Sequence, residues 1–321
     1  MTHPMTAIHI EHGEVTVRDV AKTKRRKGHA LLRLITGGIC NTDLELQRGY
    51  YGFSGTPGHE FVAEVVEADT SKWIGKRVVG EINLACGKCE WCVSRKLPRH
   101  CPHRTVLGIV KHPGAFQQFF TLPEENLFPV PDSVATDHAV FTEPIAAACE
   151  ILDQIKIAKG QPVAVLGDGK LGLLIAQVLA LHGADVHQFG RHKSKLAIAK
   201  AVGVTTASHS PKPSTRFDIV VEATGSAQGF ATSAQMTNPR GTIVLKSTVH
   251  DRTPVDMAHI IVQEITLVGS RCGRFAPALK LLNSGRLNLD PMIHARFPLA
   301  SAPLAFEKAN EKGVLKVLLD G

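Results

Sequence analysis

Four cysteines that could hold a metal ion lie close together in the first third of the chain. Cys86, Cys89 and Cys92 follow one another at intervals of three, and Cys101 comes nine residues later. Four thiolates in so short a loop complete a tetrahedral shell around zinc and leave no position for a substrate, which predicts a structural zinc site. An iron–sulfur cluster is the alternative, since four thiolates alone do not separate the metals. In a reducing cytosol, such a cluster is more typical of a metal site than of two disulfides.

A second set of metal-binding side chains is dispersed along the first half of the chain. Cys40, His59 and Glu143 could each serve the fold alone, as a small buried group, a turn residue and an acid at a helix N-terminus. Together they offer one sulfur, one nitrogen and one oxygen ligand. Such a set predicts a catalytic zinc with a fourth position open for water or an alcohol.

A glycine-rich segment follows one apolar run and precedes a stretch rich in Ala and Leu. It reads GDGKLG, with Gly167, Gly169 and Gly172 at the spacing G-x-G-x-x-G. The first glycine permits the turn, the second lets the backbone approach a pyrophosphate, and the third lets helix and strand pack closely. Between a strand and a helix, this spacing predicts a dinucleotide site rather than an ordinary turn.

The end of the next apolar run bears on the choice of dinucleotide. An acid there would bind the ribose 2′-hydroxyl of NAD and repel the 2′-phosphate of NADP. The run ends in Gly190 and Arg191, and residues 186–193 contain no acid. Because a guanidinium suits a phosphate, the sequence favours NADP over NAD. The alternative is that Arg191, Lys193 and Lys195 are solvated loop charges.

Two kinds of framework are expected to position these groups. From Thr6 to about Pro131, short alternating segments and frequent glycines indicate a β-rich half. From about Pro144, apolar runs alternate with helical stretches, which predicts an α/β half with a doubly wound parallel sheet. A chain of 321 residues is long enough for both.

Composition excludes several classes of protein. A hydrophobic share of 44% and a charged share of 21% indicate a globular chain rather than a disordered one. The most apolar stretch, 162–181, is interrupted by GDGK, and no N-terminal segment has the pattern of a secretion signal, so we expect a cytoplasmic protein that does not bind membranes. The net charge of +8 suits a phosphate-bearing cofactor but does not predict nucleic-acid binding.

The order of motifs along nearly the whole chain resembles the zinc-dependent alcohol dehydrogenases of the medium-chain dehydrogenase/reductase superfamily. The motifs are GICNTD (38–43), GHE (58–60), CGKCEWC (86–92) followed by Cys101, TEP (142–144), GDGKLG (167–172) and VEATG (221–225). GHE, the four-cysteine lobe and a glutamate as third ligand are more similar to the polyol, glucose and threonine dehydrogenase branch than to animal alcohol dehydrogenases.

The resemblance implies a domain organisation and a set of site residues. It implies a GroES-like catalytic domain over 1–144 with a zinc lobe at about 86–101, a Rossmann dinucleotide-binding domain over 145–270, and a C-terminal segment, 271–321, that returns to the catalytic domain. At the catalytic zinc it implies the ligands Cys40, His59 and Glu143, with Glu60 beside the metal as a supporting group or alternate ligand. It also implies the proton carrier Thr42 and the histidine-orienting Asp43. The implied ligands of the structural zinc are Cys86, Cys89, Cys92 and Cys101. The implied cofactor contacts are Gly167, Gly169, Lys170, Leu171, Gly172, Arg191, Lys195 and Thr224.

Two positions depart from the family pattern. His100 occupies the usual fourth position of the structural zinc site, one residue before Cys101. The spacing from Cys101 to Gly108 keeps the family register, so Cys101 is the predicted ligand and His100 the alternative. Glu45 stands where some members carry a histidine that relays the proton to solvent, which leaves the proton's exit route open.

The motifs together predict hydride transfer between an alcohol and NAD(P), with NADP favoured and two zinc ions bound. The resemblance implies that the alcohol belongs to the polyol or sugar-like class. The resemblance implies a homodimer or homotetramer. Two alternatives remain: a zinc-independent reductase of quinones or enones, and a non-catalytic protein that binds NADP(H).

Overall fold

The structure, a computed structural model, describes residues 5–208, 215–248 and 253–321. The described residues form two compact units. The first runs from the start of the described residues to Glu143 and resumes from Ile293 to Gly321; the second runs from Pro144 to Met292. The sequence-based boundary of the returning segment, residue 271, differs from this division because the helix that follows it packs within the second unit.

The elements of the described residues are numbered in chain order. The strands are β1 (Met5–Glu11), β2 (Glu14–Val20), β3 (His29–Gly38), β4 (Phe61–Glu67), β5 (Arg77–Gly80), β6 (Asn83–Leu84), β7 (Thr105–Val106), β8 (Phe119–Pro123), β9 (Leu127–Pro129), β10 (Pro162–Leu166), β11 (Asp185–Gly190), β12 (Thr205–Ser208), β13 (Phe217–Glu222), β14 (Thr237–Leu245), β15 (Thr266–Gly269), β16 (Ile293–Pro298) and β17 (Lys316–Asp320). The helices are α1 (Asn41–Gln47), α2 (Glu90–Val93), α3 (Thr136–Ala139), α4 (Thr142–Gln154), α5 (Lys170–His182), α6 (Lys193–Lys200), α7 (Ala227–Met236), α8 (Met257–Val262), α9 (Phe275–Asn283) and α10 (Ala302–Asn310).

The first unit is built on an antiparallel sheet. Its strands lie in the order β16-β17-β3-β4-β5-β9, and β8 also pairs with β3. Apolar and polar residues alternate little along the central strand β3, because both of its faces are covered. Leu31, Leu32 and Leu34 are all buried. The final strand, β17, pairs with β3 and so places the end of the chain beside the segment that leads into α1. The predicted β-rich domain is confirmed.

The second unit is built on a sheet whose strand pairs are all parallel. The order is β12-β11-β10-β13-β14-β15. Renumbered within the unit, this is 3-2-1-4-5-6, the Rossmann order, in which dinucleotides bind beyond the carboxyl ends of the strands where the order reverses. The apolar runs of β10, such as Val163 and Val165, are fully buried, as expected for a strand covered on both faces. The predicted fold class is confirmed.

No helix among the described residues combines the length and the apolar character that a membrane span requires.

Candidate active site and metal centres

The turn from β3 into α1 fixes three of the predicted site residues. Cys40 is the N-cap residue of α1, in an extended conformation, and the Asp43 carboxylate reaches back so that its Oδ2 accepts the Cys40 N–H at 2.8 Å. This hydrogen bond belongs to a capping box and satisfies a backbone donor at the helix start. Thr42 lies in the same first turn, with its Oγ1 3.8 Å from Cys40 Sγ.

Asp43 also holds the segment that carries His59. Its Oδ1 accepts the Gly58 N–H at 3.2 Å and lies 3.3 Å from His59 Nδ1. Among the described residues the buried Nδ1 has no well-formed hydrogen bond. One fully buried carboxylate thus holds two segments of the chain together, and orienting the histidine stays its predicted role.

A carboxylate completes this group, and it is that of Glu60, the predicted alternate ligand, rather than that of Glu143. Ligand atoms of Cys40, His59 and Glu60 all lie within 4.8 Å of one another. Glu143, predicted as the third ligand, is the second residue of α4 and is not a member of the group that the described residues form. Glu60 is delivered by the same turn as His59, whereas Glu143 must be brought from a separate helix.

A buried lysine that the sequence analysis did not assign lies against Glu60. Lys316 Nζ forms an ion pair with Glu60 Oε2, and both side chains are 1% exposed. The ammonium group also lies 5.3 Å from the centre of the Phe141 ring. A lysine within the apolar run Leu315–Leu319 was the available signal, because a charge in such a strand needs a buried partner.

The electrostatics of this group favour positive charge. Burial by itself lowers the pKa of His59, but Asp43 and Cys40 raise it well above its usual value. Burial likewise lowers the pKa of Lys316, but Glu60 and Cys40 raise it above its usual range. Surroundings that stabilise two buried cationic side chains also stabilise a metal cation, so the residues present fit a zinc ion by donor type and by charge.

The cysteine lobe has the spacing of a tetrahedral thiolate site. Cys89 Sγ lies 3.5 Å from Cys92 Sγ and 3.6 Å from Cys101 Sγ, and Cys86 Sγ lies 4.0 Å from Cys92 Sγ. Sulfur atoms bound to one zinc at about 2.3 Å would be about 3.8 Å apart. All four cysteines are free, so the spacing does not arise from disulfides.

Cys101, rather than His100, joins the other three cysteines. It is fully buried, and its sulfur lies within the group. Hydrogen bonds from the Lys88 and Cys89 backbone lower the pKa of Cys86 to about 6. Desolvation and the Cys89 and Cys101 side chains raise the pKa of Cys92 to about 12. Thiols this close cannot all ionise on their own, and a bound cation would remove that restriction.

The glycine-rich loop of the second unit has the local geometry of a dinucleotide site. Gly167 has a φ of +118°, and a Cβ there would lie 2.4 Å from the Ala223 carbonyl oxygen. A Cβ on Gly172 would lie 2.4 Å from the Gly167 carbonyl oxygen, whereas a Cβ on Gly169 would meet nothing within 4 Å. The first and third glycines therefore permit close packing, and the second leaves open space beside the α5 N-terminus.

The other predicted cofactor contacts lie around this loop or on the neighbouring helix. Gly167, Gly169, Arg191 and Thr224 line a cavity of about 240 Å³. Thr224 is fixed by Glu222, whose Oε1 accepts both its N–H at 2.7 Å and its hydroxyl at 2.6 Å. The remaining four are Lys170, Leu171 and Gly172 in the first turn of α5 and Lys195 on α6.

At the end of β11 the structure contains an acid that the sequence analysis did not expect there. The structure brings a carboxylate there from the glycine-rich loop: Asp168 Oδ2 accepts the N–H groups of Arg191 and His192 at 2.7 Å and 2.6 Å. The NADP prediction depended on two features, an absent acid and a present arginine. Of these two features only the arginine still supports NADP, because Asp168 in the glycine-rich loop supplies an acid.

Both halves of the chain match models of known families. An alcohol dehydrogenase GroES-like domain model matches residues 26–132, and a zinc-binding dehydrogenase model matches residues 171–284. A sorbitol dehydrogenase of Halalkalibacterium halodurans is 28% identical over 330 residues, covering 96% of this chain and 96% of the relative. An L-threonine 3-dehydrogenase of Coxiella burnetii is 28% identical and covers 92% and 93%, respectively.

A solved structure is similar over the full length. A Sinorhizobium meliloti 1021 protein described as a zinc-binding dehydrogenase, bound to NADP, superposes with a TM-score of 0.90 at 27% identity and covers 100% of both chains.

Proposed function

This chain belongs to the zinc-dependent alcohol dehydrogenases of the medium-chain dehydrogenase/reductase superfamily, and from that premise we propose that it interconverts a polyol or sugar-like alcohol and its carbonyl compound. The reaction class is hydride transfer between an alcohol and NAD(P). The observation that carries the proposal is the group formed by the half-buried Cys40 and the buried His59 and Glu60, with Asp43 behind it. The similarity to a sorbitol dehydrogenase supports a polyol as substrate.

Cys40 and His59 are the proposed zinc ligands, with a carboxylate as the third. Zinc bound there supplies a Lewis acid that stabilises negative charge on the substrate oxygen. Glu60 is the carboxylate that the fold brings within reach, and Glu143 is the one that the sequence predicts. Replacing each by Gln and measuring the metal content identifies the ligand, because only loss of a ligand weakens metal retention directly.

Thr42 and Asp43 have distinct proposed tasks. The Thr42 hydroxyl, 3.8 Å from Cys40 Sγ, accepts the proton of the alcohol and passes it onward. Asp43 binds no substrate. It holds the Cys40 and Gly58 backbones and thereby keeps the Cys40 and His59 side chains in register.

The second unit is the proposed site of the nicotinamide dinucleotide, which carries the hydride. Open space at Gly169 and the α5 N-terminus suit its pyrophosphate. Two opposite charges bear on the form of the cofactor. The exposed Arg191 supports NADP, as the sequence predicts, and the Asp168 carboxylate opposes it.

The cysteine lobe is the proposed site of a second, structural zinc. Its four thiols supply a complete tetrahedral shell, which leaves no position for substrate. This ion would stabilise residues 86–101, in which only Cys101 is buried.

We also propose self-association through the edge of the parallel sheet. β15 is an edge strand, and Leu267 on it is 38% exposed. The adjacent helix α8 exposes Met257, Ile261 and Val262 by 53%, 68% and 74%. Among the described residues no strand pairs with the outer edge of β15, and such an edge beside exposed apolar side chains suits a second copy of the chain. Light scattering should then give the mass of a dimer or tetramer, and a charge at Ile261 should lower it.

The test of the proposed function is oxidation of a polyol panel, followed by nicotinamide absorbance with the metal content measured in parallel. We expect polyol-dependent reduction of the dinucleotide that is lost on chelation and restored by zinc. Activity toward enones that survives chelation would instead indicate a zinc-independent reductase. Cofactor binding without any turnover would indicate a non-catalytic protein.

A further inference from the structure

We infer that Asp168, within the glycine-rich loop, supplies the carboxylate that is missing from the end of β11, and that the protein therefore prefers NAD(H) to NADP(H). The inference rests on the proposed function, since it assumes that the second unit binds a nicotinamide dinucleotide. In the G-x-G-x-x-G motif, the residue between the first two glycines has no assigned part in choosing between NAD and NADP. The inference gives that part to Asp168.

The first support is the hydrogen bonding of the carboxylate. Asp168 Oδ2 accepts the Arg191 N–H at 2.7 Å and the His192 N–H at 2.6 Å, and lies 3.0 Å from His192 Nδ1. These backbone donors begin the turn after β11, where a dinucleotide's adenosine ribose is recognised. Because the donors are already satisfied by Asp168, a 2′-phosphate would have to displace the carboxylate to use them.

The second support is the shape of the strand end. A Cβ on Gly190 would lie 2.6 Å from Asp168 Cβ and 2.7 Å from its Oδ2. The Asp168 side chain thus fills the space that a side chain at position 190 would enter. The absence of a side chain at Gly190 and the position of Asp168 are two parts of one arrangement, in which the acid comes from the loop instead of the strand.

The third support is the charge of the group. Asp168 is 9% exposed and lines the 240 Å³ cavity together with Gly169 and Thr224. Burial alone raises its pKa, but hydrogen bonds from His192 and Arg191 lower it below its usual value. The carboxylate is therefore ionised at neutral pH, and among the described residues its Oδ1 has no hydrogen bond. That oxygen can accept one from a ribose 2′-hydroxyl.

The opposing charge is weaker. The Arg191 side chain is exposed, and within the described part of the chain it forms no ion pair. Water and salt screen an exposed guanidinium more than a buried carboxylate. Repulsion of the 2′-phosphate by Asp168 should therefore exceed its attraction by Arg191.

The experiment measures the dissociation constants of NADH and NADPH by fluorescence titration, which needs no alcohol. We expect the wild-type protein to bind NADH more tightly, by about tenfold or more, because juxtaposed like charges strongly disfavour the wrong partner. Asp168→Asn keeps the shape of the side chain and removes its charge. It should shift the ratio toward NADPH by about tenfold or more.

A second variant distinguishes the loss of the acid from a disruption of the glycine-rich loop. The double variant Asp168→Ala/Gly190→Asp moves the acid from the loop to the end of β11. Removal of the Asp168 carboxylate leaves room for the new side chain at position 190, so the preference for NADH should return. Asp185→Asn is the matched control: Asp185 lies at the other end of β11 and pairs with His187 at 3.2 Å. It should leave the ratio unchanged.

The outcomes separate this inference from the proposed function. Tighter wild-type binding of NADPH, or an unchanged ratio in Asp168→Asn while both dinucleotides still bind, overturns the role of Asp168 and leaves the dehydrogenase proposal standing. Binding of neither dinucleotide by the wild-type protein overturns both.

Discussion

The two cysteine-containing groups of the first unit are assembled in opposite ways. The lobe draws its four cysteines from residues 86–101, and only Cys101 among those residues is buried. The other group takes Cys40 and His59 from separate segments, with His59 2% exposed and Asp43 fully buried behind it. The first is local in sequence and open to solvent, whereas the second is dispersed and enclosed.

The difference shows which group depends on the metal and which on the fold. Apart from its cysteines, the lobe has little apolar burial, so a bound ion would be its main source of order. The dispersed group is held by the protein itself, through the Asp43 hydrogen bonds and the Glu60–Lys316 ion pair. Four substitutions test this contrast, beginning with the largest expected effect.

Replacing Cys40 by Ser should abolish most of the alcohol oxidation. Loss of the Lewis acid removes several kcal/mol of transition-state stabilisation, so we expect kcat/KM to fall by about 10³-fold or more. Metal analysis should show the loss of about one ion per chain, with the lobe's ion retained. Cys272→Ser, in the second unit, is the matched control and should retain activity. Full activity in Cys40→Ser would refute the proposed ligand.

Replacing Lys316 by Met should destabilise the fold. In the metal-free protein it leaves the Glu60 carboxylate buried and unpaired, which costs about 3–5 kcal/mol of unfolding free energy. Urea denaturation measures the change. Glu60→Gln added to Lys316→Met removes the uncompensated charge and should recover part of the stability. If the double variant is no more stable than the single one, the ion pair does not have the structural role given to it here.

Replacing Asp43 by Asn should weaken metal binding without removing a ligand. The change perturbs the hydrogen bonds that align Cys40 and His59, and we expect a loss of about 10–100-fold in metal affinity. Competition with a chelator measures the affinity. Asp137→Asn is a suitable control, because Asp137 pairs with Arg296 at the protein surface. Equal affinities in both variants would show that Asp43 does not position the ligands.

Replacing Cys92 by Ser should affect order more than chemistry. We expect the lobe to lose its ion and kcat/KM to change by less than about tenfold, because local opening need not disturb a separately supported site. Lys88, Arg95 and Lys96 are exposed, so trypsin should cleave the variant in this loop faster than the wild-type protein. A loss of activity as large as that expected for Cys40→Ser would mean that the two groups are coupled.

Sequence patterns predicted the parts of the molecule that depend on local spacing. The cysteine intervals, the glycine spacing and the change from alternating segments to strand–helix repeats predicted the lobe, the loop and both fold classes. Each pattern lies within one element or one short loop, where chain geometry relates spacing directly to position.

Residues brought together by distant segments were predicted less well. Glu60 was predicted only as an alternate to Glu143, although it lies in the same turn as His59. Lys316, in the last described strand, meets the site because β17 pairs with β3. Asp168 was visible in the motif, but its place at the end of β11 depends on how the loop packs against Gly190.

The sequence by itself determined which metal-binding side chains the protein carries and which folds could hold them, because residue types and periodicities can be identified directly from the sequence. Only the tertiary structure decided which carboxylates reach Cys40 and which acid stands beside Arg191. Strand pairing and burial set the distances between residues that are far apart in sequence. The electrostatic effect of a charge depends on those distances and not on the position of its residue in the sequence.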